Sequence, residues 1–173
     1  KALPWAAKRV KIDFAPSQTE ALSTSLTEKV SVITGGPGVG KTTIIHALVE
    51  VFKARKLTVC LAAPTGRAAK RMQEATHHEA KTMHRLLKFQ PRTGSFEFDA
   101  ENPLPAHVVI LDEGSMIDIR LMRDLLVALP PTAHLVLVGD IDQLPSVGPG
   151  NVLRDIINSG AIPCTALTTI FRQ

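Results

Sequence analysis

An α/β fold, with a parallel sheet covered by helices on both faces, is predicted by three observations. Short, near-continuous apolar runs at 30–34, 57–63, 108–111 and 135–138 have the character of strands buried on both sides. They alternate with stretches whose apolar residues recur at helical period. Between the first run and the first long helical stretch lies GGPGVGKT, residues 35–42, a glycine-rich loop in a strand–turn–helix setting.

Taken in order, Ser17, Gln18, Thr19 and Glu20 fit the capping pattern S-x-x-E ahead of Ala21, Leu22 and Leu26, so a helix is expected from Ser17. Residues 1–16 then read as a linker or the remnant of a preceding domain, with Trp5 either a packing anchor or part of that linker. The strand at 30–34 leads through the loop into a helix at 43–54, and a second strand at 57–63 is ended by Pro64 and Gly66. Helices are expected at 67–76 and 81–87, a third strand at 108–111 running into Asp112, and a helix at 119–129 stopped by Pro130 and Pro131. The fourth strand, 135–138, ends at Gly139 and Asp140; a helix at 151–158 and a fifth strand at 164–167 follow. Residues 88–99, KFQPRTGSFEFD, interrupt this rhythm. Thr93 and Gly94 supply a turn, and Phe96 and Phe98 alternate with Ser95, Glu97 and Asp99, which predicts a small β-hairpin; the alternative is a loop whose phenylalanines cover the core.

Composition narrows the class. With 173 residues, 45% hydrophobic and 21% charged, the chain is long enough for one well-buried core and short for two domains. No apolar stretch approaches the roughly 20 residues that span a bilayer, and no leader-like segment opens the sequence, so a soluble cytoplasmic protein without a membrane partner is expected. Cys60 and Cys164 stand singly in apolar segments and are expected as buried thiols, and the histidines lack metal-ligand spacing. A net charge of +4 permits an anionic partner. Because the chain starts at Lys1 and stops one residue after Arg172, it is expected to be a piece of a longer protein.

The loop carries the chemistry. Its glycines let backbone N–H groups curl around phosphate oxygens, Lys41 can reach the β/γ-phosphates, and the hydroxyl of Thr42 suits Mg²⁺. A nucleoside triphosphate is therefore the expected substrate, ATP if the chain is a motor ATPase, and Mg²⁺ its companion, with Gly36, Pro37, Gly38, Val39, Gly40, Lys41, Thr42 and Thr43 as the cradle. Asp112 and Glu113 stand at the carboxyl edge of the third strand, where open α/β sheets bind ligands. Asp112 is assigned to the metal and Glu113 to the attacking water, the alternative being two solvated acids at a strand end. At the end of the fourth strand, GDIDQLPSV (139–147) offers Gln143 as a γ-phosphate contact, while Asp140 and Asp142 could equally be turn formers.

These segments together resemble the first motor lobe of superfamily 1 helicases of the RecD-like and Pif1-like 5′ to 3′ branch, RecD being the exodeoxyribonuclease V α-subunit type. GGPGVGKT resembles motif I, APTGRAAKRM (63–72) motif Ia, LDEGSMID (111–118) motif II, GDIDQLPSVGPG (139–150) motif III, and IFRQ (170–173) the start of motif IV. The resemblance covers nearly the whole chain and implies a RecA-like P-loop lobe at 17–173 with a hairpin insertion, called 1B, at 88–99. It implies that Gln18 reads adenine, that Gln143 senses the γ-phosphate and Arg172 contacts it, and that Thr65, Gly66, Arg67, Lys70 and Arg71 face single-stranded DNA. Thr82 and His84 resemble a further DNA-contact segment. Arg67, Lys70 and Arg71 lie at helical spacing and can share a face, for which a solvated helix surface is the alternative. By the same resemblance a second RecA-like lobe with motifs V and VI lies outside this chain, the hairpin meets the duplex at a DNA fork, and the parent serves DNA repair or recombination, with nuclease or repair-complex subunits as candidate partners. Val39 and Gly114 depart from the residues usual at their motif positions. A nucleotide switch or loader ATPase that does not unwind, and an RNA helicase, are the rival functions.

Overall fold

The protein is described by a computed structural model over residues 2–171. Helices α1 (Ala2–Val10) and α2 (Pro16–Thr27) precede β1 (Val30–Thr34), the loop and α3 (Lys41–Ala54). Then come β2 (Val59–Ala63), α4 (Gly66–Thr76), β3 (Ala80–Thr82), the single turn α5 (Met83–Leu86), β4 (Phe89–Gln90) and β5 (Ser95–Phe96). The chain closes with β6 (Val108–Leu111), a 3₁₀ turn at Gly114–Met116, α6 (Ile119–Ala128), β7 (His134–Gly139), α7 (Val152–Ser159) and β8 (Cys164–Ala166).

Six strands form one sheet in the order β3-β2-β6-β7-β1-β8, and every pairing in it is parallel. Alternation along the strands divides the core. On β6 and β7, Val108, Ile110, Val136 and Val138 point to one side, where Leu22, Leu48, Phe52 and Met72 of α2, α3 and α4 cover them. Val109, Leu111, Leu135 and Leu137 point to the other, against Met83, Met122, Leu125 and Leu153 of α5, α6 and α7. Phe52 is 1% exposed on α3. Phe52→Ala is expected to destabilise the fold by about 3–5 kcal/mol, because transfer and cavity penalties add for a large ring in a packed core. Urea unfolding measures this, and a loss below about 1 kcal/mol would contradict the packing described.

Four local outcomes differ from expectation. Within residues 1–16, read as a linker or the remnant of a preceding domain, stands a helix that no sequence signal placed, α1, which packs on α3, buries Ala6 completely and ties Arg9 Nε to Glu50 Oε2 at 2.5 Å; Trp5 stays 42% exposed. Helix α2 starts earlier than Ser17: Ala15 is the N-cap, Pro16 takes the first turn, where its missing N–H is harmless, and the Gln18 side chain accepts the Ala15 N–H at 3.0 Å. Ser17 Oγ is left buried without a hydrogen-bond partner. Strand β3 is three polar-to-small residues at the sheet edge, and it takes Lys81 and Thr82 from the start of the segment expected to be helical. Cys60 is half-buried and Cys164 exposed, so neither is the fully buried thiol expected.

Residues 88–99 do both things the sequence allowed. Strands β4 and β5 pair antiparallel, Phe89 with Phe96 and Gln90 with Ser95. At the same time Phe96 and Phe98 are half-buried against the second half of the core. The tip, residues 91–94, is exposed, with Gly94 at φ +67° making the turn.

Candidate functional site

The carboxyl ends of β1, β6 and β7 meet at one edge of the sheet. There the loop 35–40 arches over a cleft of about 590 Å³ whose walls include Lys41, Thr42, Asp112, Glu113 and Gln143. Gly38 and Gly40 adopt φ +76° and +83°, a left-handed conformation that lets consecutive N–H groups turn toward one point. Helix α3 opens immediately after Gly40, two residues earlier than the sequence suggested, so Lys41, Thr42 and Thr43 form its first turn and its positive end faces the cleft. The Lys41 ammonium is folded onto its own loop, donating to Gly35 O at 2.5 Å and Gly36 O at 2.8 Å.

Asp112 and Glu113 follow β6. Burial pushes the Asp112 carboxyl above its ordinary value near 3.8, opposed by the Glu113 N–H that donates to Oδ1 at 2.8 Å and by the charges of Lys41 and Arg71. A carboxyl that holds its proton more tightly folded than unfolded destabilises the fold when ionised. That penalty is present at neutral pH and fades as the pH falls through the raised value toward about 3.9, the unfolded one. Asp112→Asn is therefore expected to raise the nucleotide-free unfolding temperature at pH 7, and the gain should shrink toward pH 4; no gain at pH 7 would contradict a desolvated carboxylate.

Glu113 has φ +54°, uncommon for a side-chain-bearing residue, and caps the 3₁₀ turn from that conformation. Its Oε1 accepts a hydrogen bond from Arg71 Nη2 at 3.1 Å. Beyond it the ends of β6 and β7 touch with no side chain between them. A Cβ at Gly139 would lie 2.8 Å from Leu153 Cδ2 and 3.0 Å from Gly114 N, and one at Gly114 would lie 3.1 Å from Val138 O.

The remaining expected site residues divide. Pro37, Val39, Gly40 and Thr43 line the cleft with the residues above. Gln18 is 1% exposed behind the loop, its amide engaged with Ala15 N–H and Val39 O, and it does not line the cleft. Arg172 lies outside the described residues. Thr65 caps α4 by accepting the Ala68 N–H at 3.2 Å, and Gly66, Arg67 and Lys70 are exposed on that helix. Arg71 departs from them: it turns into the nucleotide cleft. Thr82 caps α5 and His84 packs edge-on against Phe89 at 5.5 Å between ring centres, both beside the hairpin. Two cleft residues escaped the sequence analysis besides Arg71: Met72, its neighbour on α4, and Phe171, whose N–H donates to Gly38 O at 2.9 Å.

Among the described residues no group of histidines, cysteines or carboxylates could by itself cage a metal ion, and no helix is long and apolar enough to cross a membrane. A metal here would be shared with a bound phosphate, and the donor set fits one: the Thr42 hydroxyl and the half-buried Asp112 carboxylate line the same cleft.

Comparison with known proteins gives a consistent result. A family described as "AAA domain" matches residues 18–149. The ATP-dependent RecD2 DNA helicase of Deinococcus radiodurans is 39% identical over 170 residues, 98% of this chain and 23% of that protein. The RecBCD enzyme subunit RecD of Mycobacterium tuberculosis is 38% identical over 178 residues, covering 90% of this chain and 31% of that one. The chain thus spans less than a third of the length of these relatives. Among solved structures, Pif1 helicase from Candida albicans superposes with a TM-score of 0.73 at 24% identity, over 94% of this chain and 41% of that chain. A Bacteroides Pif1 in complex with ADP-AlF4 gives 0.61 at 23% identity, covering 94% and 43%.

Proposed function

This chain belongs to the AAA-domain family and is a RecD-like helicase motor domain, and from that premise we propose that it is the ATP-hydrolysing first lobe of a 5′ to 3′ DNA translocase. One observation carries the proposal: Lys41, Asp112, Glu113 and Gln143, drawn from three separate strand ends, share a single cleft under a loop of phosphate-binding geometry.

The division of labour follows from placement. Loop N–H groups and the end of α3 bind the phosphates, and the Lys41 ammonium exchanges its two carbonyl partners for phosphate oxygens. Thr42 and Asp112 would hold Mg²⁺, which would neutralise part of the phosphates' negative charge. Glu113 orients a water and takes its proton as the oxygen attacks the γ-phosphorus and the bond to the β-phosphate oxygen breaks. Gln143 borders both this cleft and a cavity of about 190 Å³ lined by Ser115 and Arg154, so its side chain can register whether the γ-phosphate is present. Gln18, by steadying the back of the loop, supports the purine end of the site.

The exposed face of α4, with Thr65, Gly66, Arg67 and Lys70, and the segment around Thr82 and His84 form the single-stranded DNA track, and the β4–β5 tip is the element that meets a fork. The parent, with a second RecA-like lobe, works on cytoplasmic DNA in repair or recombination. The test is ATP hydrolysis and strand separation by the intact parent. Stimulation by single-stranded DNA above that by RNA, with unwinding of a duplex carrying a 5′ tail, is expected. Preference for RNA, or hydrolysis without any unwinding, would overturn it in favour of an RNA motor or a switch ATPase.

A further inference from the structure

Arg71 is the one basic residue of α4 that lines the nucleotide cleft. It sits one turn from Arg67 and next to Lys70, the residues assigned to DNA, yet its guanidinium lies 3.1 Å from Glu113, the residue assigned to the attacking water. The two ends of this ion pair are unequal. The Glu113 side chain is 19% exposed and fixed at its base by a left-handed backbone and the 3₁₀ turn that follows, whereas the Arg71 side chain is 63% exposed. Arg71 is therefore the partner that can leave.

While the pair holds, Oε1 of Glu113 is engaged by the Arg71 guanidinium inside the cleft and is not free to accept from a water there. A displacement of α4 would undo this. Thr65 caps the helix, and Arg67, Lys70 and Arg71 are spaced within about one turn of it, so strand phosphates drawing on Arg67 and Lys70 would shift Arg71 with them. We propose that Arg71 is a positioning residue that holds Glu113 idle in the nucleotide-free lobe, and that single-stranded DNA bound along α4 withdraws it. The proposal rests on the assignment of Glu113 as the base and α4 as a DNA-facing helix, and it ties the two functions through one contact.

Reciprocity makes it measurable without hydrolysis: if DNA must break the pair, removing the pair must tighten DNA. Nucleotide-free parent protein is titrated with a fluorescent oligo-dT strand in four forms: wild type, Arg71→Ala, Glu113→Ala and the double variant. Each single change should tighten binding about two- to fivefold, the scale of a partly exposed ion pair, and the double variant should tighten it no further. Arg71→Ala should also raise hydrolysis in the absence of DNA and shrink its stimulation by DNA, while Arg71→Lys, which can still reach Glu113, should stay nearer wild type. Weaker DNA binding by Arg71→Ala would make Arg71 an ordinary phosphate contact. Strictly additive effects, or a fall in DNA-free hydrolysis, would overturn the proposal equally. A wild-type parent that hydrolyses ATP with no response to DNA would defeat the motor assignment instead, and the four-way binding comparison would still decide whether the pair opposes DNA.

Discussion

Lys41→Ala is expected to cut ATP turnover by the intact parent at least about a hundredfold while the lobe stays folded. The magnitude is that of removing one preorganised charge from the developing negative charge of a phosphoryl transfer. The fold should survive because the ammonium's hydrogen bonds run only to the carbonyls of Gly35 and Gly36, on the loop itself. Steady-state hydrolysis and circular dichroism test both halves. Turnover within tenfold of wild type in a folded variant would remove the loop from the chemistry, and with it the assignments of Thr42, Asp112 and Glu113 that depend on it.

The second large effect concerns unwinding. Replacing residues 91–94 by two glycines is expected to abolish separation of a forked duplex and leave DNA-stimulated hydrolysis near wild type. The exposed tip is the part of the hairpin available to a duplex, whereas Phe96 and Phe98 are half-buried against the core and should be left in place. Support for the tip comes from its base: Lys88 Nζ pairs with Glu97 Oε1 at 2.7 Å and lies 4.9 Å from the Phe98 ring centre, while Phe89 and Phe96 meet across the ladder as tilted rings 5.3 Å between centres. Unwinding that persists without the tip would assign strand separation elsewhere. Loss of hydrolysis as well would mean that the hairpin supports the lobe and has no separate role at the fork.

The elements that the sequence disclosed are those whose burial pattern is unambiguous. Strands β1, β2, β6 and β7 are apolar on both faces because helices cover both, and their ends place the acids and Gln143 where a parallel sheet binds ligands. What escaped was decided by contacts between distant segments. Nine residues of α1 make a helix too short to stand alone, and packing on α3, with a smaller contact to α2, holds it. Strand β3 has three residues and no hydrophobic alternation to reveal it. Helical spacing groups Arg67, Lys70 and Arg71 on one helix, but Arg71 separates from the other two because its partner, Glu113, is 42 residues away and invisible to periodicity. Gln18 was noticed for its position, and the backbone N–H that engages its amide became visible only once Pro16 fixed where α2 begins.

The bare junction of Gly114 with Gly139 also constrains inheritance. With Leu153 on one side and the Val138 carbonyl on the other, the room available to a methyl group at either glycine falls short by a few tenths of an ångström or more. Drift at these positions therefore cannot be independent. A lineage that acquires alanine at 114 is expected to retain glycine at 139 and to carry a smaller or differently branched side chain at 153. Positions 114, 139 and 153 should change as a correlated set across relatives, and a pairing of alanine at 114 with alanine at 139 and leucine at 153 should be missing from them.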